Sequence, residues 1–281
     1  MTAPANLVPI ACPYCESSRS TPWGEERGFH VVRCADCAFL FMNPSLDRAD
    51  ISKAVETGFH AEAEGMDVRA HRHEGKVRQY RALFADLCSD MWRDGAPVHW
   101  LDVGAGYGEI VEAVSQLAPA ESVVEGLEPM GPKAADARSR GLRITQDYLR
   151  PGHPPVDVIS SIDVFSHVPD YRAFLRDVAG ALKPGGRVII ETGNLADVST
   201  RGEFPFELGL PDHLTFAGKA HLVGLLQETG FEVERIVEKR VDTALALVKS
   251  VAKKLIGRPG KLRVPYTSDY RQLVVRARLA G

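Results

Sequence analysis

Apolar residues recur along this chain with two different periods, and the places where the period changes mark its elements. From Val98 onward, short apolar runs alternate with stretches whose apolar positions return every three or four residues. Such alternation predicts a parallel sheet covered by helices on both faces. The apolar runs predict strands at Val98–Val103, Ser122–Glu128, Leu142–Gln146, Val156–Ser161 and Arg187–Glu191, with later strands at Phe231–Lys239 and Gln272–Arg278. Helical spacing predicts helices at Tyr171–Leu182, capped by Asp170, and at Lys219–Thr229. Residues 193–215 read as a long insertion rich in Gly and Pro, a kind of segment that often carries function.

The pattern divides the chain into three zones. Residues 1–44 hold four paired cysteines and short β-like runs such as His30–Arg33, and residues 45–95 read as a mainly helical lid or linker ending in Tyr80–Leu87. Residues 96–281 form the α/β core. Cys88 stands apart from the other cysteines and is expected to be a buried packing residue on a helix.

Composition narrows the classes. A chain of 281 residues that is 44% hydrophobic and 25% charged reads as an ordinary soluble globular protein. A formal net charge of −3 offers no general pull toward phosphate backbones, so nucleic acid is not an expected partner. The first residues show no secretory signal and no run is long enough for a membrane span, so a cytoplasmic protein without a membrane partner is expected.

The most informative run is Trp100-Leu101-Asp102-Val103-Gly104-Ala105-Gly106-Tyr107-Gly108-Glu109. A buried strand enters a turn with glycines at alternate positions, which lets a ligand approach the backbone closely. A dinucleotide fingerprint would need glycine where Glu109 stands. Asp102, at the strand's carboxyl end, would repel a pyrophosphate but suits a ligand bearing an ammonium and a sulfonium, as S-adenosylmethionine does. The second strand ends in Glu128-Pro129, about 20 residues beyond the loop, where an acid can accept hydrogen bonds from ribose hydroxyls.

Asp102–Gly108 resembles the first motif of class I S-adenosylmethionine-dependent methyltransferases. Leu182-Lys183-Pro184-Gly185-Gly186 is similar to their later Leu-Lys-Pro-Gly-Gly turn, and Asp157–Asp170 to their fourth-strand segment. The resemblance covers roughly residues 98–281. It implies a doubly wound, Rossmann-like, seven-stranded, mostly parallel sheet with an antiparallel final strand. It also implies a cofactor site at Asp102, Gly104, Ala105, Gly106, Tyr107, Gly108, Glu128 and Pro129. Adenine would lie near Asp147 or Gln146, against Tyr148 or Leu149.

Cys12-Pro13-Tyr14-Cys15 and Cys34-Ala35-Asp36-Cys37 form two CxxC knuckles, the spacing of a closed structural zinc site. A zone of about 44 residues has little core of its own, and a metal would supply the deficit. The run Arg33–Pro44 resembles the N-terminal zinc-binding segment of bacterial methyltransferases that act on sugars and natural products, a segment that commonly helps cover the substrate cleft.

Methyl transfer to a hydroxyl or carbon acid needs a general base, and histidine suits that task. His167 follows the fourth strand, and Asp212-His213 ends the insertion, where sugar C-methyltransferases carry an acid–histidine pair. His60, His71 and His73 are expected on a solvated face, and Lys249–Arg263 on the wet side of an amphipathic helix. A small-molecule acceptor, such as a nucleotide-linked sugar or a natural-product intermediate, is the leading expectation. An RNA methyltransferase that grips nucleic acid through the zinc segment is the runner-up. Residues 1–50 disfavour it, since Arg19, Arg27, Arg33 and Arg48 oppose Glu16, Glu25, Glu26, Asp36, Asp47 and Asp50. A non-catalytic cofactor-binding partner protein is the third reading, and the sequence does not set the oligomeric state.

Overall fold

The computed structural model describes residues 7–60, 72, 74–204, 206–257, 262, 264–265 and 267–281. His71, His73, Arg258, Lys261 and Arg263, singled out above, lie outside the described residues. The N-terminal zone contributes β1 (Leu7–Val8), β2 (Ser20–Glu26), β3 (Phe29–Cys34), β4 (Leu40–Met42) and β5 (Ser45–Leu46). Helices α1 (Arg48–Thr57), α2 (Glu74–Leu87) and α3 (Ser89–Arg93) follow. The core then runs β6 (His99–Val103), α4 (Glu109–Ser115), β7 (Val123–Leu127), α5 (Gly131–Ser139), β8 (Ile144–Thr145), β9 (Val156–Ile162), α6 (Tyr171–Gly180) and β10 (Leu182–Gly193). Last come β11 (Thr215–Phe216), α7 (Lys219–Glu228), β12 (Phe231–Arg240), α8 (Ala244–Leu255) and β13 (Arg271–Leu279).

The main sheet has seven strands in the order β12-β13-β10-β9-β6-β7-β8. Pairing is parallel from β10 to β8, while β13 runs antiparallel to both β10 and β12. This is the doubly wound, mostly parallel arrangement that the sequence predicts. The central strands read as nearly continuous apolar runs because both of their faces are covered.

On one face, Val77, Tyr80, Phe84 and Leu87 of α2 recur at helical spacing and pack with Trp100, Ile110, Ile189 and Val274. On the other face, Tyr171, Leu175 and Val178 of α6 and Leu222, Leu225 and Leu226 of α7 meet Leu101, Ile159, Val188 and Ile190. Asp170 caps α6 by accepting from the Ala173 N–H at 2.9 Å. Cys88 is fully buried, at the junction of α2 and α3 rather than inside a helix.

The insertion after β10 is more ordered than its composition suggests. Leu195, Val198, Phe204, Leu208, Leu210 and Leu214 are buried, in one core with Phe29, Val31, Leu40, Met42 and Ile51. Its end, β11, pairs antiparallel with β4, so a strand from the core half completes the sheet β11-β4-β3-β2. Among the described residues, no helix is long and apolar enough to cross a membrane.

Candidate active site

At the carboxyl end of β6 the chain turns through Gly104, with φ +76°. A Cβ there would lie 2.3 Å from Val164 Cγ2, so only glycine fits. The Gly104 and Ala105 N–H groups both donate to the Leu127 carbonyl at 2.9 Å, which ties the loop to the end of β7. Gly106 also has positive φ, +55°, but faces open space. Its N–H donates to Glu128 Oε2 at 2.6 Å, and the Met130 N–H donates to Oε1 at 2.8 Å. Two backbone donors therefore orient the Glu128 carboxylate at the strand end and leave further lone pairs for a ligand.

A cavity of about 860 Å³ opens over this edge of the sheet. Of the expected cofactor residues, Gly104, Ala105, Gly106, Glu128, Pro129 and Asp147 line it, together with Tyr148 and Leu149. Tyr107 and Gly108 do not. Gly108 is the residue before the first turn of α4, and the Tyr107 carbonyl accepts from Arg140. The Asp147 carboxylate accepts from the Tyr148 N–H at 2.8 Å and from Arg150 at 3.0 Å.

Asp102 departs from the expectation. It is absent from the cavity wall and only 1% exposed, and its Oδ1 accepts from the Ser160 hydroxyl at 2.6 Å. Ser160 in turn accepts from the Trp100 indole N–H at 2.8 Å. The physical reason is strand alternation: Asp102 points to the same sheet face as Trp100, beneath the glycine loop rather than toward the cavity. Burial pushes its carboxyl up to about 8, with Glu128 and Glu109 adding to the rise against the bond from Ser160.

The same cavity receives His167, Asp212 and His213. His167 Nδ1 donates to the Asp212 carbonyl at 2.9 Å and lies 3.5 Å from its Oδ1. His213 Nδ1 donates to the Leu208 carbonyl at 2.7 Å, which leaves its Nε2 with a lone pair. The two imidazole rings meet edge to face at 4.8 Å. Burial pulls the His167 imidazole down, but the Asp212 carboxylate outweighs it and holds the ring above its ordinary value. Burial, with a charged His167 beside it, pulls His213 down to about 4. Burial opposes ionisation of Asp212, yet hydrogen bonds from His167 and His60 hold its carboxyl well below the usual range. The two rings are thereby driven apart in basicity, His167 upward and His213 downward.

Three residues escaped the sequence reading. His60 is buried, not solvated, and its Nε2 donates to Asp212 Oδ1 at 3.0 Å. Its separation from Asp212 in the chain gave no local signal. Asp163, at the carboxyl end of β9, lines the cavity with φ +58°, a conformation uncommon outside glycine. An acid at the end of a central strand was the available clue. Glu26, at the end of β2, accepts from the Leu208, Gly209 and Leu210 N–H groups at 2.7, 2.9 and 3.2 Å. It thereby fixes the turn that leads into Asp212 and His213.

A family described as methyltransferase domain matches residues 69–236, from just before α2 into β12. The chain belongs to the methyltransferase-domain family. Curated relatives of this chain include a ubiquinone biosynthesis O-methyltransferase of Aeromonas salmonicida, 30% identical over 101 residues, 34% of this chain and 42% of the relative. Another, of Parvibaculum lavamentivorans, is 33% identical over 124 residues, 42% of this chain and 49% of the relative. The match to each thus spans less than half of that relative's length. Among solved structures, a magnesium protoporphyrin IX methyltransferase of Synechocystis PCC 6803 with bound S-adenosylmethionine superposes with TM-score 0.51 at 14% identity, covering 85% of this chain and all of that one. The cyclase SpnF superposes with TM-score 0.50 at 18% identity, covering 70% of this chain and 82% of that one. At such identities the likeness concerns the fold alone.

The chain carries a second cluster outside the matched region. Cys12 Sγ lies 3.6 Å from Cys37 Sγ, Cys15 Sγ lies 3.5 Å from Cys34 Sγ, and all four sulfurs fall within 4.8 Å of one another. None is in a disulfide. Tetrahedral zinc with bonds of about 2.3 Å would set sulfur–sulfur edges of about 3.8 Å, so the donor set and its spacing fit that ion. Burial raises the Cys12 thiol to about 11, whereas for Cys34 backbone and thiol hydrogen bonds outweigh burial and bring it down to about 7. His221 of α7 holds the knuckle in place: its Nε2 donates to the Cys37 carbonyl at 2.8 Å, and its Nδ1 accepts from the Gly218 N–H at 3.0 Å.

Proposed function

We propose that the protein transfers the methyl group of S-adenosylmethionine to a hydroxyl of a small-molecule acceptor, with His213 as general base. One observation carries the reading: the glycine loop, the Glu128 carboxylate and the split histidine pair line a single cavity. S-adenosylmethionine supplies the electrophilic methyl group. Gly106 lets the cofactor approach the backbone, Glu128 accepts from its ribose hydroxyls, and Asp147 and Tyr148 lie where adenine would be held. Methyl transfer is an in-line displacement, so the protein's task is to position the nucleophile and exclude water.

At the acceptor end, the His213 Nε2 lone pair takes the hydroxyl proton as the C–O bond forms and the C–S bond breaks. The His167 N–H beside it steadies the developing oxyanion. Asp212, held by His60, keeps His167 oriented and charged. The named relatives act in ubiquinone biosynthesis as O-methyltransferases, which supports oxygen as the acceptor atom. Nucleotide-linked sugars, natural-product intermediates and hydroxylated aromatics are the acceptors to assay.

We propose further that Cys12, Cys15, Cys34 and Cys37 hold a structural zinc ion, with no coordination position left for substrate. Calorimetry with S-adenosylhomocysteine tests the cofactor assignment. Binding is expected, and Glu128→Gln should weaken it by about tenfold or more, the cost of a lost charged hydrogen bond. Uptake of a nicotinamide or flavin dinucleotide in its place would sink the proposal.

A further inference from the structure

Helix α8 turns its apolar side outward. Ala244, Val248, Val251 and Leu255 follow one another at i, i+4, i+7 and i+11 and share a stripe, with Leu245 alongside. A helix of a globular protein normally buries such a stripe. Here none of the twelve residues is buried, and Leu245, Val248 and Leu255 are 62%, 64% and 82% exposed. Ile256, just past the helix, is 67% exposed. The better covered positions, Ala246, Leu247 and Ser250, lie on the side away from Leu245 and Val248. Lys249 flanks the stripe on one side, next to Leu245, and Lys254 on the other, while Lys253 lies on the far side of the helix. From Thr243 to Ser268 the sequence has six cations (Lys249, Lys253, Lys254, Arg258, Lys261 and Arg263) and no carboxylate, in a chain whose net charge is −3.

We infer that α8 is a docking surface for an anionic lipid bilayer. Charge decides among the occupants of an exposed apolar stripe. A second copy joined through a two-fold axis would bring the lysines of one α8 close to those of the other, with no acid on α8 to relieve them. A bilayer with anionic headgroups receives both parts: the apolar stripe enters the headgroup–acyl boundary and the flanking lysines meet the phosphates. The contact is peripheral, since α8 is far too short to span.

The position of the helix adds to this. Strands β12 and β10 both run antiparallel to β13, so β12 ends at the sheet edge that carries the glycine loop. The chain returns to β13 through Tyr270, which lines the cavity. α8 therefore stands on the same edge of the sheet as the cavity.

Flotation of the full chain with vesicles tests the inference. The protein is expected to float with equal parts phosphatidylcholine and phosphatidylglycerol, and about tenfold or more less with phosphatidylcholine alone. Lys249→Ala and Lys254→Ala should each lower affinity by about fivefold, and Lys253→Ala by less. Val248→Ser with Leu255→Ser should lower it comparably at unchanged melting temperature, because both side chains are exposed. Failure to float with anionic vesicles, or flotation that ignores both sets of substitutions, overturns the inference. So does a dimer in sedimentation equilibrium that Val248→Ser with Leu255→Ser dissociates.

Discussion

Two carboxylates that look equivalent in the sequence have opposite environments in the structure. Glu128 faces the cavity, held by two backbone N–H groups, whereas Asp102 is sealed beneath the loop on Ser160. Asp102→Asn is therefore expected to alter S-adenosylhomocysteine affinity less than Glu128→Gln, a comparison calorimetry makes directly. Asp102 also leaves a signature in stability. A carboxyl raised to about 8 in the fold and near 4 in the unfolded chain binds more protons when folded. Its contribution to stability is full below pH 4 and declines as pH rises toward 8. The Asn variant lacks that decline, so its stability relative to the parent should rise across this window in denaturant titrations. The histidines give a kinetic counterpart. A base acts in its neutral form, so with His213 near 4 the acid limb of kcat/KM should lie well below the ordinary imidazole value of about 6.5. His167→Asn removes the neighbouring cation but not the burial, and should move that limb part of the way back up. An acid limb that stays in place would argue against charge coupling between the rings.

At the scale of elements, legibility followed locality. Strands β6, β7, β9 and β10 announce themselves as apolar runs, and Asp170 before α6 is a local cap, so both were readable. β8 shrank to Ile144–Thr145 because it is the sheet's edge, where fewer pairings fix its ends. The insertion was not readable as structure, since its order comes from partners more than 150 residues away: β4 pairs with β11, and Arg33 donates to the Ala196 and Val198 carbonyls. His60 escaped for the same reason. Glu26 is the sharpest case. It holds the Leu208 and Gly209 N–H groups, while the Leu208 and Gly209 carbonyls accept from the His213 side chain and backbone. Glu26→Ala should thus reduce turnover by about 10- to 100-fold through misplacement of the imidazole, with cofactor affinity little changed. Glu26→Gln, which keeps an acceptor oxygen, should recover part of the loss. Equal losses in cofactor affinity and turnover would mean that the fold, not the loop, had failed.

Across the whole molecule, the cysteine zone and the sheet share one interior. Cys12, Cys34, Phe39 and Phe41 belong to the same buried cluster as Leu101, Ile159, Val188 and Leu222, and His221 of α7 clasps the Cys37 carbonyl. Sequence composition separates the N-terminal zone from the core, but nothing in composition says whether two zones melt together; shared burial does. A metal held by the four thiols would stabilise whatever unfolds with them. Because that interior is continuous, the expected result of scanning calorimetry is a single transition, not two. Chelation, or Cys34→Ser, should lower the whole transition by about 10 °C or more, since a kcal/mol is worth about 2–4 °C in a chain of this size. S-adenosylhomocysteine, expected on the glycine loop and Glu128 rather than on the four thiols, should still raise the midpoint of the chelated protein if that protein remains folded. Metal analysis fixes the premise at about one zinc per chain. Two separated transitions, with the chelator moving only the lower one, would show that the cysteine zone is an independent unit resting on the core.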